Sequence, residues 1–182
     1  MAVSRDGGYT LAEMMIVCAV LAVAATVALP SAQPVAEFRA DTAAGEVASA
    51  LRFAREEAMR TGAIRMLRCE PAQNRVSVYI PDANGGKAAT VNHPLTRMDY
   101  TVVLDGAPTP SNITLAGCAF IFLDKKGTTT TTIAFDGNGN PVLGTGDAKT
   151  QILALSSGRI SLGAGATQRT IAVDATGRVT TS

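Results

Sequence analysis

The residue whose chemistry is hardest to explain away is an acid in a greasy run. From Leu11 to Leu29 every position is apolar or small except Glu13 and Thr26. A carboxylate in such surroundings costs about 2.5–3.5 kcal/mol at mid-membrane and less near a membrane face, so an uncompensated Glu13 points to a task. The plain alternative is that Glu13 pairs with its own amino terminus or favours the helix dipole. Cys18 lies in the same run and reads as a small packing residue. Cys69 and Cys118 are then the remaining thiols. In an oxidising compartment they are candidates for one disulfide closing a long loop, but spacing alone does not say whether their Cβ atoms meet.

The other chemistry-bearing residues give less. His93 precedes Pro94 in a polar stretch, no G-x-S-x-G accompanies it, and it reads as a solvated loop histidine. Glu56 and Glu57 are adjacent on a helix and diverge. With one histidine and no C-x-x-C, zinc is a poor reading. Asp136, Asn138, Asn140 and Asp147 echo a calcium loop in their spacing, yet Pro141 stands where that loop turns on glycine. Asp-Gly and Asn-Gly also make ordinary hairpin turns. No catalytic arrangement emerges, so the chain is read as a non-enzyme with no cofactor and no metal. Arg159, Arg169 and Arg178 are candidates for a patch that grips phosphate; the plain alternative is strand-edge arginines that discourage aggregation.

Composition narrows the classes further. The 182 residues carry 16 basic and 15 acidic side chains, so no chain-wide field recruits nucleic acid or anionic lipid. Aromatics make up 4% and tryptophan is absent, which weighs against a base-stacking platform or an aromatic-lined pocket.

The elements that position these residues follow from periodicity. As a helix the apolar run rises about 28 Å, close to the roughly 30 Å hydrocarbon thickness of a bilayer. The polar segment MAVSRDGG precedes it, with Arg5 on the side expected to stay cytoplasmic. Three readings compete for this terminus: an ordinary secretory signal with a small-x-small cut around Pro30, a plain membrane anchor, and a processed anchor. Glu13 argues against the first two.

Pro30 and Pro34 are expected to loosen or kink the helix. Beyond them Val47, Leu51, Ala54 and Ala58 fall on one narrow apolar stripe, and Thr61-Gly62 is a helix stop. This half of the helix is expected to lie across a sheet. Ile64–Cys69 and Arg75–Ile80 read as a first strand pair, residues 81–96 as a long polar loop, and Met98–Leu104 as the next strand. Ala119–Asp124 and Thr128–Phe135, joined through Lys125, Lys126 and Gly127, read as a hairpin; Thr150–Leu155, Gln168–Asp174 and Arg178–Thr181 complete the set. The fold class is α+β, a long amino-terminal helix packed on a β-rich head of antiparallel sheets.

GYTLAEMMIVCAVLAVAATVALP resembles the class III signal of type IV prepilins and pseudopilins: a short leader ending in Gly8, a hydrophobic residue next, here Tyr9, Glu four residues on, and a proline late in the first helix. The resemblance implies a prepilin peptidase that cuts between Gly8 and Tyr9 and N-methylates Tyr9. It gives Glu13 a role, neutralising the new amine of a neighbouring subunit during assembly. ALRFAREEAMRTG, IAFDGNGNP and IAVDATGRV resemble minor pseudopilin H of type II secretion and the related FimT-type minor pilins. That implies a low-abundance subunit near a filament tip, with other pilins or pseudopilins as partners. The expected organisation is a leader over 1–8, an inner-membrane helix over 9–30, an amphipathic stalk over 31–62 and a periplasmic head over 63–182. The FimT side brings DNA uptake as an alternative, in which a basic tail grips phosphate. Of that tail's G-R-x-R pattern only Gly177 and Arg178 match, since Thr180 replaces the second arginine. The short echo between IAFDGNG and IAVDATG is not a repeat architecture. A secreted soluble protein released by ordinary signal peptidase is the remaining alternative.

Overall fold

The computed structural model describes residues 10–28, 33–105, 112–124, 126–144 and 152–182. It divides into two compact units, Met1–Pro34 and Val35–Ser182.

In the first unit, α1 covers Leu11–Ala28. At 1.5 Å per residue it is about 27 Å long. Its flanks are apolar on every side, with Leu11, Met15, Ile16 and Val23 all exposed. A helix of that kind needs an apolar cover from elsewhere. Among the described residues no helix is long and apolar enough to cross a membrane. The span expected over residues 9–30 extends past them at both ends, and Tyr9, Leu29 and Pro30 lie outside the description. The kink expected at Pro30 therefore lies outside it too.

The second helix, α2, covers Gln33–Thr61, of which Val35 onward belongs to the second unit. Pro34 falls in its first turn, where a missing N–H costs nothing. The buried face is wider than the predicted stripe: Ala40, Ala43, Ala44, Ala48 and Ala50 join Val47, Leu51, Ala54 and Ala58 in full or near-full burial. Alanine at so many contacts lets the helix backbone approach the sheet closely. The helix stops at Gly62, whose φ of 64° is left-handed.

The strands are β1 Arg65–Glu70, β2 Arg75–Pro81, β3 Lys87–Thr90, β4 Thr101–Val103, β5 Thr114–Phe122, β6 Thr129–Thr130, β7 Thr132–Phe135, β8 Pro141–Leu143, β9 Leu153–Ala164, β10 Thr167–Val173 and β11 Val179–Thr181. All the pairings are antiparallel, and β9 belongs to both wings of the sheet. One wing runs β8-β7-β1-β2-β3, with β4 also on β2; the other joins β5, β10 and β11 to β9. The inner face of both wings packs under α2 in one cluster that includes Leu67, Val78, Phe120, Phe135, Ile160 and Ile171. This is the α+β architecture read from the sequence.

Several details differ from the sequence expectation, among them that β5 starts at Thr114 rather than Ala119 and that β4 covers only Thr101–Val103 of the expected Met98–Leu104. The polar stretch 81–96 contains β3, whose side chains are all exposed. The expected hairpin pairs only at Phe120↔Thr130 and Ile121↔Thr129, after which the returning chain crosses to β1 as β7. β8 is a three-residue strand opened by Pro141. The strand expected over Thr150–Leu155 instead runs from Leu153 to Ala164; Thr150 and Gln151 lie outside the described residues.

Candidate functional site

At the start of α1, Thr10 and Glu13 bond reciprocally. The Thr10 N–H donates to Glu13 Oε2 at 3.4 Å, and the Glu13 N–H donates to Thr10 Oγ1 at 3.3 Å. This is a capping box, the T-x-x-E pattern in which side chains satisfy two amide donors that a helix start leaves open. It holds the carboxylate at the amino-terminal end of α1, four residues on from Tyr9 in the sequence. Gly8 and Tyr9 themselves lie outside the described residues. The T-x-x-E spacing was the available signal for Thr10, and the sequence reading passed over it.

The two cysteines expected to be candidates for pairing are bonded to each other, Cys69 on β1 and Cys118 on β5, with Cα atoms 6.3 Å apart. The bridge ties the two wings where the chain from β6 to β7 crosses between them, and the Cys69 N–H donates to Thr131 O at 3.0 Å beside it. Cys18 is a free, exposed thiol.

The three arginines do not form one patch. On β10, Arg169 shares the face of the buried Ile171 and Val173, so it points to the α2 side, where its Nε donates to Asp41 Oδ1 at 2.5 Å. Asp41 raises the affinity of that guanidinium for its proton, chiefly through the hydrogen bond. Arg159 and Arg178 lie on the opposite, outer face and line one groove of about 610 Å³ with Asp174. Across that face Ala119, Arg159, Ala172 and Thr180 are in register. A phosphate-gripping patch built on all three is therefore excluded by the alternation of β10, and two cations remain.

The calcium echo resolves into a turn. Asp136 Oδ1 accepts from Asn138 N at 2.9 Å and Asn140 N at 2.8 Å, and Gly139 takes a φ of 81°. The same D-x-x-G construction recurs at Asp82, Asp124 and Asp174, each carboxylate accepting from backbone N–H groups two and four residues on. The echo between IAFDGNG and IAVDATG is thus a repeated way of turning a hairpin. In Asp124 and Asp174 these bonds, led by the Thr128 and Thr176 hydroxyls, hold the carboxyl below its usual range. Asp147 lies outside the described residues, and among those described no cluster of three metal-ligating side chains occurs.

The Asp136 turn, and β11 just beyond the Asp174 turn, are fastened to α2. Arg55 Nε donates to Gly139 O at 3.0 Å, and Arg52 Nη2 donates to Val179 O at 3.4 Å. Any Cβ on Gly139 would come within 2.7 Å of Met59 Sδ. The segments ALRFAREEAMRTG, IAFDGNGNP and IAVDATGRV are therefore three sides of one joint. His93 sits in the β3–β4 loop, where its Nδ1 accepts from Leu95 N at 3.2 Å and Thr96 N at 3.4 Å. It shapes a loop, and its ring lies against Tyr100 with centroids 4.7 Å apart.

The fold is similar to that of the minor pseudopilin EpsH from the type 2 secretion system of Vibrio cholerae. One structure of it matches at a TM-score of 0.51 and 13% identity, covering 79% of this chain and 96% of that chain. A second matches at 0.50 and 11%, covering 79% and 92%. The type IV minor pilin FimU of Pseudomonas aeruginosa matches at 0.49 and 17%, covering 84% and 92%. No curated protein matches the chain in sequence. Residues 3–29, which include the Thr10–Glu13 box, match the prokaryotic N-terminal methylation motif. Residues 43–177, from the α2 face through the Asp136 and Asp174 turns, match the family described as Type II transport protein GspH, and a match over that much of the chain places this protein in the GspH family of pilin-like minor subunits.

Proposed function

We propose that this chain is a minor subunit of a type II secretion pseudopilus, matured by prepilin peptidase and assembled through its amino-terminal helix. The observation that carries the reading is Glu13, an acid held at the mouth of an otherwise apolar helix inside a methylation motif. Cleavage between Gly8 and Tyr9 creates an amine four residues before Glu13. In an apolar setting neither that amine nor the carboxylate is tolerable alone, and pairing across neighbouring subunits compensates both. The capping box keeps the carboxylate supplied with one N–H donor, that of Thr10, until a stronger partner arrives.

Residues 9–30 anchor the subunit in the inner membrane as a single pass, with Arg5 of the leader cytoplasmic before cleavage and the head periplasmic. The Cys69–Cys118 bridge suits that oxidising compartment. The head has a structural role, presenting surfaces to other pilins or pseudopilins near the filament tip, and carries out no catalysis. The EpsH likeness and the family description support a secretion filament over a retractable pilus.

Mass spectrometry of the mature protein tests this. The expected species begins at Tyr9 with one added methyl on its amine. A mature terminus near Gln33 or Ala36 would instead mean release by ordinary signal peptidase, and the anchor reading would be abandoned.

A further inference from the structure

The two wings of the sheet finish their outer faces differently. On the first, the turn at Asp82 folds back so that Tyr79 Oη and Arg68 both donate to Gly85 O at 3.1 Å. Met66, Tyr79, Ala134 and Val142 are buried there as a second small core. On the second, aliphatic side chains stand in the open: Ile121 is 39% exposed, Leu123 62% and Ile152 49%. They are neighbours. The Leu123 N–H donates to Ala154 O at 2.9 Å, which sets Leu123 across from β9, two residues from Ile152. Ile121 is its next neighbour on the same face.

The strip continues into the groove that holds Arg159 and Arg178, with the Ser156, Ser157 and Thr180 hydroxyls around them. Among the described residues the ion pairs use Arg60, Arg65, Arg75, Lys87 and Arg169 and leave Arg159 and Arg178 out. The nearby Asp174 carboxylate feels Arg178, but its Oδ1 is spent on Thr176 N at 2.8 Å and Arg178 N at 3.0 Å.

We propose that this face, Ile121, Leu123 and Ile152 with Arg159 and Arg178 at one end, docks the head of a different filament subunit through an element that presents an apolar stripe ending in carboxylates. The proposal rests on the filament-subunit reading above. An aliphatic strip of this kind marks a protein interface. A nucleic-acid track would replace it with further cations or stacking rings. A two-fold pairing of the face with a second copy brings no carboxylate to the arginines beyond Asp174, whose Oδ1 is already bonded within its own turn.

Photo-crosslinking of the full chain in its host tests the assignment, with the probe residue at Leu123 and, for comparison, at Leu95 in the β3–β4 loop. The expected result is an adduct from Leu123 to another subunit bearing a methylation motif, at a segment containing Asp or Glu. Arg159→Glu with Arg178→Glu should cut its yield about tenfold, and lysine at those partner acids should restore it. Retention of the Cys69–Cys118 bridge on a non-reducing gel shows that each variant is folded. An adduct from Leu95 alone, an adduct to DNA, or a yield indifferent to charge reversal in a processed, filament-incorporated chain overturns the proposal. A chain that is never processed or incorporated overturns the filament reading itself, and the proposal falls with it.

Discussion

At the scale of single side chains, Glu13 has two jobs that substitution separates. It caps α1 with Thr10, and in the proposed assembly it neutralises an amine. Glutamine at position 13 keeps an oxygen that accepts from Thr10 N, so Glu13→Gln preserves the cap and removes the charge. Glu13→Ala removes the charge and the acceptor for Thr10 N, leaving only the backbone N–H of position 13 on Thr10 Oγ1. Both variants should be processed normally and fail to enter filaments, scored by counting the subunit in sheared filament fractions. If Glu13→Gln assembled like the parent, capping would be the whole of its role. The acid itself was legible because it is out of place in its run. Thr10 is an ordinary residue until its spacing to Glu13 is read as a capping box. Arg169 could not be sorted from Arg159 and Arg178, because its partner Asp41 lies 128 residues away and no local pattern connects them.

At the scale of elements, α2 was the most legible, since apolar positions recurring every three to four residues allow one buried face. Leu51 is fully buried on it. Leu51→Ala should cost about 2–5 kcal/mol in urea unfolding, whereas Arg39→Ala, outside this core, should stay within about 0.5 kcal/mol. The helix end carries a pH-sensitive staple: Glu57 accepts from Arg60 Nη2 at 2.7 Å and lies 3.7 Å from the buried Arg65. The Arg60 hydrogen bond, aided by Arg65, holds the Glu57 carboxyl below its ordinary 4.5 against the opposing effect of burial. A depressed acid contributes stability above its unfolded value and loses it as pH falls through the folded one. The thermal midpoint should therefore drop more steeply below about pH 4.5 in the parent than in Glu57→Gln. Strands were less legible than the helix. β9 was cut short because SSGRISLGA mixes serine and glycine into an alternation that only the neighbouring β5 and β10 make regular. β3 has no buried side chain to create a pattern, and β8 is too short to show one.

At the scale of the whole molecule, every buried core residue among those described lies at Ala40 or beyond. Residues 35–182 should therefore fold without the amino-terminal unit, and a fragment with that start should unfold cooperatively in urea. Within the head the sheet's long-range pairings leave one weak seam. β1 and β5 are not paired with each other, and the chain between them passes through the 106–111 segment outside the described residues. The Cys69–Cys118 bridge crosses that seam and closes a loop with a separation of 49 residues. For a loop of that length, restricting the unfolded chain is worth about 4 kcal/mol in the entropic account, with measured bridges spread over about 2–5. The buried core remains when the bridge is removed, because Cys69 is one contact among many in it. Replacing both cysteines by alanine should thus lower the urea midpoint of the 35–182 fragment by an amount equivalent to about 2–4 kcal/mol. The far-ultraviolet spectrum should stay unchanged. A bridge whose loss left the midpoint in place would mean that the two wings are already held in the unfolded chain by other contacts, and the seam would not be the weak line of the head.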